Sequence, residues 1–276
     1  MPEPRTYPEG VPSWVDVEEP DLEAAEAFYA GLFGWAFEDV TPVGSPTRYA
    51  VAQLDGLAVA GLAGSLDSAT PSWNTYVAVD DAEEAARRVR AAGGQVLHGP
   101  VAAGDHGRYV VCADPAGVPF RLRQAGTHPG AQVVNAPGAW NFSDLHATAP
   151  AASAAFYTSV FPWAFDDVGF AAMIRRPGYG DHLAATIDPD IRERQAGIGV
   201  PPGFADTVGW LVPAAAEEAP HWHVAFTVAD RDATAAAAER LGGTVLRRDD
   251  TDWTREALIR DPQGALFTAS QFTPSA

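Results

Sequence analysis

The sequence predicts an α+β fold of two tandem domains, each with two βαβββ units, so that four units form two curved mixed sheets. Two observations lead to this prediction. Blocks of the first half of the chain recur in the second half in the same order, and a strand–helix–strands pattern occurs twice within each half. The 276 residues also suit two domains of ordinary size, and a hydrophobic content of 47% is ample for their cores.

Three pairs of matching blocks define the duplication. They are 27–40 with 155–168, 73–81 with 222–230, and 114–120 with 261–267. Repeats that keep their order indicate a duplicated domain, so we predict one domain over residues 1–128 and a second over 139–276. The segment 126–138 between them is rich in Gly, Pro, His and Asn, which is typical of a linker.

The elements of each unit follow from local patterns. The first unit opens with a strand at Ser13–Val17, followed by Asp21 as a helix N-cap. Apolar residues recur at helical spacing from Leu22 to Leu32, which predicts an amphipathic helix before short alternating strands. The second unit repeats this order with a strand at Thr75–Val79 and a helix over about 82–92 that ends in Gly-Gly. Because the blocks recur, we expect the same two units in the second half.

Charge and composition exclude several classes of function. Lys and Arg total 18 against 36 Asp and Glu, which argues against a nucleic-acid partner or an anionic membrane surface. The sequence has no lysine, which excludes a Schiff-base or pyridoxal-phosphate lysine. Its one cysteine, Cys112, allows no intramolecular disulfide or thiolate metal cluster. No apolar run approaches the ~20 residues that span a bilayer, so we expect a cytoplasmic protein. We expect it to be a monomer or a homodimer.

Five short motifs occur in a characteristic order in the first half of the chain. They are Asp-Leu-Glu at 21–23, Ala-Phe-Tyr at 27–29, Phe-Gly-Trp at 33–35, Gly-Gly at 93–94 and Asp-Pro-x-Gly at 114–117. This order resembles the vicinal oxygen chelate superfamily, which includes glyoxalase I, bleomycin-resistance proteins and type I extradiol dioxygenases. The resemblance covers nearly the whole chain. Within the superfamily, the chain is similar to two-domain actinobacterial glyoxalase-like proteins that are often labelled hydroxylases.

The resemblance implies a divalent metal held by His, Gln or Glu on the first and last strands of paired units. The corresponding positions are Trp14, Asn74 and Arg121 in the first half, and Phe142, His223 and Thr268 in the second. A further position, on the last strand of each opening unit, is left unassigned. Only His223 is a good ligand, and one neutral imidazole does not hold a catalytic metal. We therefore expect no metal at these positions and no other cofactor.

Without the metal, the expected site is an aromatic cavity with a few polar groups, which suits a flat organic ligand. We predict that His223, with Asp144 or His146, is the acid–base group. The residues predicted to contact the ligand are Phe142, Thr268, His182 and Trp210 in the second half, and Trp14, Asn74, Tyr76 and Arg121 in the first. His182 is placed in a loop or hairpin. Trp210 is placed in an insertion over about 188–220 that is expected to cover a cavity or a neighbouring domain.

Three functions stay open at this point. The first is a metal-independent enzyme that performs general acid–base chemistry on a small aromatic or quinone-like molecule, in secondary metabolism. The second is a protein that binds and sequesters such a molecule without catalysis, as bleomycin-resistance proteins do. The third is a metal-dependent enzyme with a rearranged site in the second half, built from His223, His182 and Asp144 or His146. In each case we expect the function to lie mainly in the second half.

Overall fold

The computed structural model describes residues 5–65, 71–196 and 200–273 and contains the four predicted βαβββ units. The first is β1 (Pro12–Glu19), α1 (Leu22–Phe33), β2 (Ala36–Asp39), β3 (Tyr49–Leu54) and β4 (Leu57–Gly64). The second is β5 (Trp73–Ala78), α2 (Ala82–Ala91), β6 (Gln95–Ala102), β7 (Gly107–Ala113) and β8 (Pro119–Ala125). The third is β9 (Trp140–Ala147), α3 (Pro150–Val160), β10 (Ala164–Asp167), β11 (Ala172–Arg175), α4 (Tyr179–Thr186), α5 (Ile191–Ala196) and β12 (Thr207–Pro213). The fourth is β13 (His221–Thr227), α6 (Arg231–Arg240), β14 (Thr244–Asp250), β15 (Thr254–Arg260) and β16 (Leu266–Phe272).

Strand pairing is the same in every unit. The first strand of each unit runs parallel to its last strand. The remaining neighbours within a unit are antiparallel, as in β2 with β3 and β3 with β4. The strands form two eight-stranded sheets, in the orders β2-β3-β4-β1-β5-β8-β7-β6 and β10-β11-β12-β9-β13-β16-β15-β14. The α+β class and the two mixed sheets are therefore confirmed.

The four units are grouped in two compact bodies. The middle pair joins the second and third βαβββ units and comprises Met1–Ser13, Thr75–Gly130 and Ser143–Trp222. The terminal pair joins the first and fourth units and comprises Trp14–Asn74, Ala131–Phe142 and His223–Ala276. Each sequence repeat thus contributes one unit to each body. The domain boundaries 1–128 and 139–276 stay a prediction.

Each body contains a buried bridge between a helix tyrosine and the aspartate of an Asp-Pro-x-Gly turn. In the terminal pair, Tyr29 on α1 donates a hydrogen bond to Asp261 at 2.8 Å. In the middle pair, Tyr157 on α3 donates to Asp114 at 3.5 Å. Burial raises the pKa of both tyrosines well above the usual range, so their hydroxyls remain protonated donors.

The aspartates of these bridges also form their turns, as their position before Pro indicates. One carboxylate oxygen of Asp261 accepts from the amides of Gln263, Gly264 and Ala265 at 2.7–2.9 Å. One oxygen of Asp114 likewise accepts from amides in its own turn. Each carboxylate therefore fixes a turn with one oxygen and receives the tyrosine of another unit with the second.

The insertion in the second repeat lies earlier than expected. Residues 188–220 include β12 (Thr207–Pro213), which is the counterpart of β4 and part of the sheet. The additional residues instead lie between β11 and β12 and form α4, α5 and a 3₁₀ turn at Phe204–Asp206. Gly209 interrupts the apolar run of β12 and obscures the strand in the sequence. Glycine is required there because a Cβ would lie 2.5 Å from the Ser143 carbonyl oxygen on β9.

Helix lengths bear on membrane association. The longest helix in the described part of the chain, α1, has 12 residues. Among the described residues, no helix is long and apolar enough to cross a bilayer.

A buried glutamate distinguishes the bridge of the terminal pair. Glu19 on β1 is fully buried beside Asp261. Burial, together with the hydrogen bond and charge of Asp261, raises the pKa of Glu19 to about 9. The residue at the corresponding place in the second repeat is Ala147, which is buried and neutral. The terminal pair therefore encloses a carboxyl group that the fold holds in its protonated form.

This burial predicts a pH-dependent stability. The pKa of Glu19 is about 9 in the folded protein against 4.5 for an unperturbed glutamate, so its contribution is fully present below pH 4.5 and lost as the pH rises through 9. Glu19→Gln keeps a donor to Asp261 without a titrating proton. We expect the melting temperatures of wild type and variant to agree at pH 5 and the variant to melt several degrees higher at pH 8.5. Glu18→Gln, which removes the same charge, serves as the control; an equal pH trend in that variant would contradict the assignment.

Candidate functional site

A hydrogen-bonded network occupies the β1 side of the terminal pair. Asp16, which is 1% exposed, accepts from the Asn74 side-chain amide at 2.9 Å and from the Tyr49 hydroxyl at 3.2 Å. The Trp14 indole donates to the same hydroxyl at 2.9 Å. Trp14 and Asn74, two predicted ligand contacts, therefore lie in one network. Asp16 is a buried carboxylate whose hydrogen bonds are provided by the protein itself.

The parallel register identifies the position that the sequence left unassigned. In the parallel pair of β5 and β8, Tyr76 lies opposite Arg121, which occupies one of the implied metal-ligand positions. In the parallel pair of β1 and β4, Asp16 lies opposite Gly61. Gly61 is therefore the counterpart of Arg121. A Cβ at Gly61 would collide with the Tyr49 hydroxyl and lie 2.7 Å from its Cζ. The Tyr49 ring thus occupies the space of a side chain at position 61.

Arg121 and Tyr76 form a pair of their own within the middle pair. The Arg121 guanidinium donates to the Tyr76 hydroxyl at 2.7 Å and lies 5.3 Å from the centroid of its ring. Tyr76 is 6% exposed. The structure brings these two predicted residues together, and a cation–π contact reinforces the hydrogen bond.

In the first repeat the bulky side chain, Tyr49, lies on β3, whereas in the second repeat it is Trp210 on β12, the counterpart of β4. By the register of β11 and β12, Ala171 corresponds to Tyr49, and Trp210 corresponds to Gly61. Trp210 is half-buried, and its ring centroid lies 5.9 Å from that of Phe170 and 6.3 Å from that of Phe204. Phe170 is 74% exposed. These three rings form an aromatic cluster in the middle pair that is open to solvent.

Asp144 forms a hydrogen bond with the backbone of β12, the strand that carries Trp210. One of its carboxylate oxygens accepts from the backbone amide of Trp210 at 3.1 Å. Phe142, Asp144 and His146 are all half-buried, whereas the residues between them are buried. Phe142, Asp144 and His146 therefore share one face of β9, and Asp144 positions the backbone of β12.

His223 is paired with a hydroxyl in the terminal pair. Its Nε2 lies 2.8 Å from Oγ1 of Thr268, and both residues are half-buried. The opposite face of β13 is buried, with Trp222, Val224 and Phe226 in the core. Thr268 stands where the resemblance implies a glutamate, so the imidazole is oriented by a neutral hydroxyl.

His146 lies in a cluster of imidazole and carboxylate groups in the middle pair. Its Nδ1 lies 2.8 Å from Oε1 of Glu218, and Nδ1 of His221 lies 3.9 Å from the same oxygen. Burial raises the pKa of Glu218, but the amide of Ala215 and the two imidazoles outweigh this effect, and its pKa is lowered. Sequence reasoning missed Glu218 because it follows three alanines in an apparently solvent-exposed loop.

His182 lies on a helix and not in the predicted loop or hairpin. Helix α4 begins after Gly178, whose φ of 86° supplies the left-handed cap that a sequence pattern does not reveal. The Nε2 of His182 contacts the Thr6 hydroxyl and carbonyl oxygens at 3.2 Å. Its ring is stacked on Tyr179. His182 thus contacts the N-terminal segment of the middle pair.

The residues at the implied metal positions do not fit a divalent metal. These positions hold Trp14, Gly61, Asn74 and Arg121 in the first repeat, and Phe142, Trp210, His223 and Thr268 in the second. Indole, phenyl and glycine offer no ligand atom, and a guanidinium repels a cation. In both repeats the strong carboxylate and imidazole donors that such a site needs are replaced, with His223 as the exception.

Two family models match most of the chain. Residues 13–122 match a model described as the glyoxalase/bleomycin resistance protein/dioxygenase superfamily. Residues 142–270 match a model described as a glyoxalase-like domain. The two matches coincide with the two sequence repeats.

Curated relatives align over nearly the full chain. CFP32 of Mycobacterium tuberculosis, whose name classes it with the glyoxylases, is 35% identical, and the alignment covers 99% of both chains. The anthracycline biosynthesis protein DnrV of Streptomyces peucetius is 34% identical over 94% of this chain and 92% of its own. DauV of Streptomyces sp. strain C5, also named as an anthracycline biosynthesis protein, is 32% identical over the same shares.

Solved structures share the fold. A Mn(II)-bound glyoxalase from Novosphingobium aromaticivorans superposes with a TM-score of 0.62 at 16% identity, covering 97% of this chain and 85% of that one. The 2,3-dioxygenase LapB from Pseudomonas sp. KL28 gives the same TM-score at 13% identity, covering 95% and 93%. At these identities the similarity establishes the architecture alone.

The Asp16 network predicts a structural role for Tyr49. Tyr49→Phe removes the donor to Asp16 and the acceptor for Trp14, which leaves buried polar groups without these partners. We expect the free energy of unfolding to fall by about 1–3 kcal/mol, measured by denaturant titration. The control is Tyr109→Phe, a half-buried tyrosine of the other body. Equal stability of Tyr49→Phe and wild type would show that the network contributes nothing.

Proposed function

The chain belongs to the glyoxalase/bleomycin resistance protein/dioxygenase superfamily, and from this membership we propose that it acts on a planar aromatic or quinone-like molecule by general acid–base chemistry. The observation that carries the proposal is the pair formed by His223 and Thr268. His223 occupies a position where the superfamily binds metal, and Thr268 stands where the resemblance implies a carboxylate. Such an imidazole can exchange protons near neutral pH without a metal.

The proposed role of His223 is proton transfer to or from the ligand. The contact with Thr268 orients the ring, and a half-buried imidazole can reach both a ligand and solvent. Residues Ala225 and Thr227, on the same face of β13, are small enough to leave room beside it. Trp222, Val224 and Phe226 are buried on the opposite face of the strand, so we expect replacement of the imidazole to leave β13 folded.

The proposed ligand class rests on ring chemistry. Aromatic side chains occupy the ligand positions 14, 142 and 210 in this chain, and aromatic faces favour stacking with flat rings. Two relatives are named as anthracycline biosynthesis proteins, and anthracyclines contain fused aromatic and quinone rings. We therefore propose a polycyclic hydroxyquinone as the substrate class, with Phe142 as a contact in the terminal pair. Asp144 positions β12 and is not proposed as the acid–base group.

A hydroxyanthraquinone probe tests the role of His223. Transfer of the phenol proton to the His223 imidazole pairs the phenolate with an imidazolium charge, so wild-type protein should lower the apparent pKa of bound 1,4-dihydroxyanthraquinone by roughly one unit. His223→Gln should bind with similar affinity but lose this shift, as followed by visible absorption against pH. His98→Gln, which replaces an exposed histidine of the first repeat, is the control. A shift that persists in His223→Gln would exclude this imidazole.

Binding without catalysis is the second candidate function. The cluster of Phe170, Trp210 and Phe204 favours it, because exposed rings at 5.9–6.3 Å spacing can hold a flat molecule by stacking alone. In this case affinity would depend on Trp210 and not on His223. Turnover of a hydroxyquinone by the wild-type protein would argue against this candidate.

Replacement of Trp210 separates the two candidates. Trp210→Leu should weaken binding of 1,4-dihydroxyanthraquinone by roughly tenfold, since stacking contributes about 0.5–1.5 kcal/mol beyond the lost apolar area. Quenching of tryptophan fluorescence measures the dissociation constant. Trp253→Leu, which changes a half-buried tryptophan outside the cluster, should bind the probe as wild type does. Unchanged affinity in Trp210→Leu would remove the aromatic cluster from the ligand site.

A further inference from the structure

Three ligand-type side chains meet in the middle pair, away from the metal positions implied by the superfamily. His146 lies near the end of β9, His221 at the start of β13, and Glu218 in the loop between β12 and β13. One donor atom of each lies within 4.8 Å of the others. Their side chains are 21–35% exposed, so an ion could reach them from solvent.

The spacing is close to that of a tetrahedral metal site. Bonds of about 2.0–2.2 Å from zinc to nitrogen and oxygen place neighbouring ligand atoms about 3.4 Å apart. The contacts of 2.8 Å and 3.9 Å from the two imidazoles to Oε1 of Glu218 lie on either side of this value. The three donor atoms lie within 4.8 Å of one another, so side-chain rotations that close at most about 1.4 Å would bring them to a common ion.

The local structure holds Glu218 in place. Its Oε2 accepts from the amide of Ala215 at 2.9 Å, and its own amide donates to the Ala215 carbonyl at 3.0 Å. The turn thus fixes one carboxylate oxygen and directs the other toward the imidazoles. Because the carboxylate position is set by the backbone, the loop is ordered before any ion binds.

The strands hold the two imidazoles in a similar way. β12 runs parallel to β9, with Val212 opposite His146, and the loop from Pro213 leads directly to His221. The two rings lie with centroids 4.8 Å apart and planes inclined by 30°. Nδ1 of His221 also donates to the carbonyl oxygen of Ala219 at 2.9 Å, which restrains that ring; an ion bound at Nδ1 would take the place of the proton that makes this hydrogen bond.

We propose that His146, Glu218 and His221 form a binding site for a divalent transition-metal ion of the zinc class. Two imidazoles and one carboxylate are a preferred donor set for Zn²⁺ and leave a fourth position for water. The site uses none of the eight positions implied by the superfamily, of which His223 is one. It does not rest on the proposed function, because it needs no organic ligand.

Titration with the metal alone tests this site. Untagged protein, stripped with EDTA and titrated with ZnCl₂ at pH 7.5 in a calorimeter, should bind one ion with a dissociation constant in the micromolar range or below. Co²⁺ in place of Zn²⁺ should give visible absorption bands typical of tetrahedral coordination. Saturating Zn²⁺ should also raise the melting temperature, since it binds the folded state.

Two variants and a control identify the ligands. His146→Ala and Glu218→Gln should each weaken Zn²⁺ binding by roughly tenfold or more, because three protein ligands are reduced to two. Glu218→Gln preserves the shape of the side chain, so it keeps the test valid if His146→Ala fails to fold. His98→Ala, at an exposed histidine of β6, should bind as wild type does. The proposal is overturned if no saturable 1:1 binding occurs, which would leave a simple ion pair. It is also overturned if binding survives in both variants.

Discussion

A buried tyrosine that donates to the aspartate of an Asp-Pro-x-Gly turn is the contact on which each compact body depends. Tyr29 and Asp261 provide it in the terminal pair, and Tyr157 and Asp114 provide it in the middle pair. The two motifs that recur most clearly in the sequence are thus the two sides of one bridge. Since each aspartate also fixes its own turn, loss of either partner would disturb a helix–sheet contact and a strand connection together.

The same architecture supports different interiors in its two repeats. In the first, the Tyr49 ring covers Gly61, and Asp16 has its hydrogen bonds completed by neighbouring side chains. In the second, the large residue is Trp210 on the adjacent strand, and its ring faces other aromatic groups. Moving one bulky side chain between neighbouring strands therefore turns a closed, self-satisfied network into an aromatic surface. Because protein interiors are closely packed, placing a bulky side chain on one strand instead of its neighbour changes the shape of the space between them.

Periodicity and repetition predicted the four units and the helix N-cap at Asp21, and together with the family resemblance they singled out Asp144, His146 and His223. These features depend on neighbours in sequence, and a single chain contains that information. The partners of those residues were not predictable, because Glu218 reaches His146 from a loop and Thr268 reaches His223 from another strand. Strand β12 was also missed, since Gly209 and the flanking prolines look like a loop until the approach of Ser143 explains them. Contacts between distant segments require the register, which pattern alone does not supply.

The grouping of the first unit with the fourth, and of the second with the third, has a consequence for the ancestry of the chain. Within one repeat, the helix tyrosine and the turn aspartate lie in different bodies and never meet. A polypeptide of a single repeat would complete its bridges only by exchanging units with a second copy of itself. The duplicated chain is thus a covalently linked form of such an exchanged dimer. Because the two linked copies need not be identical, one interior can be closed while the other carries an aromatic surface.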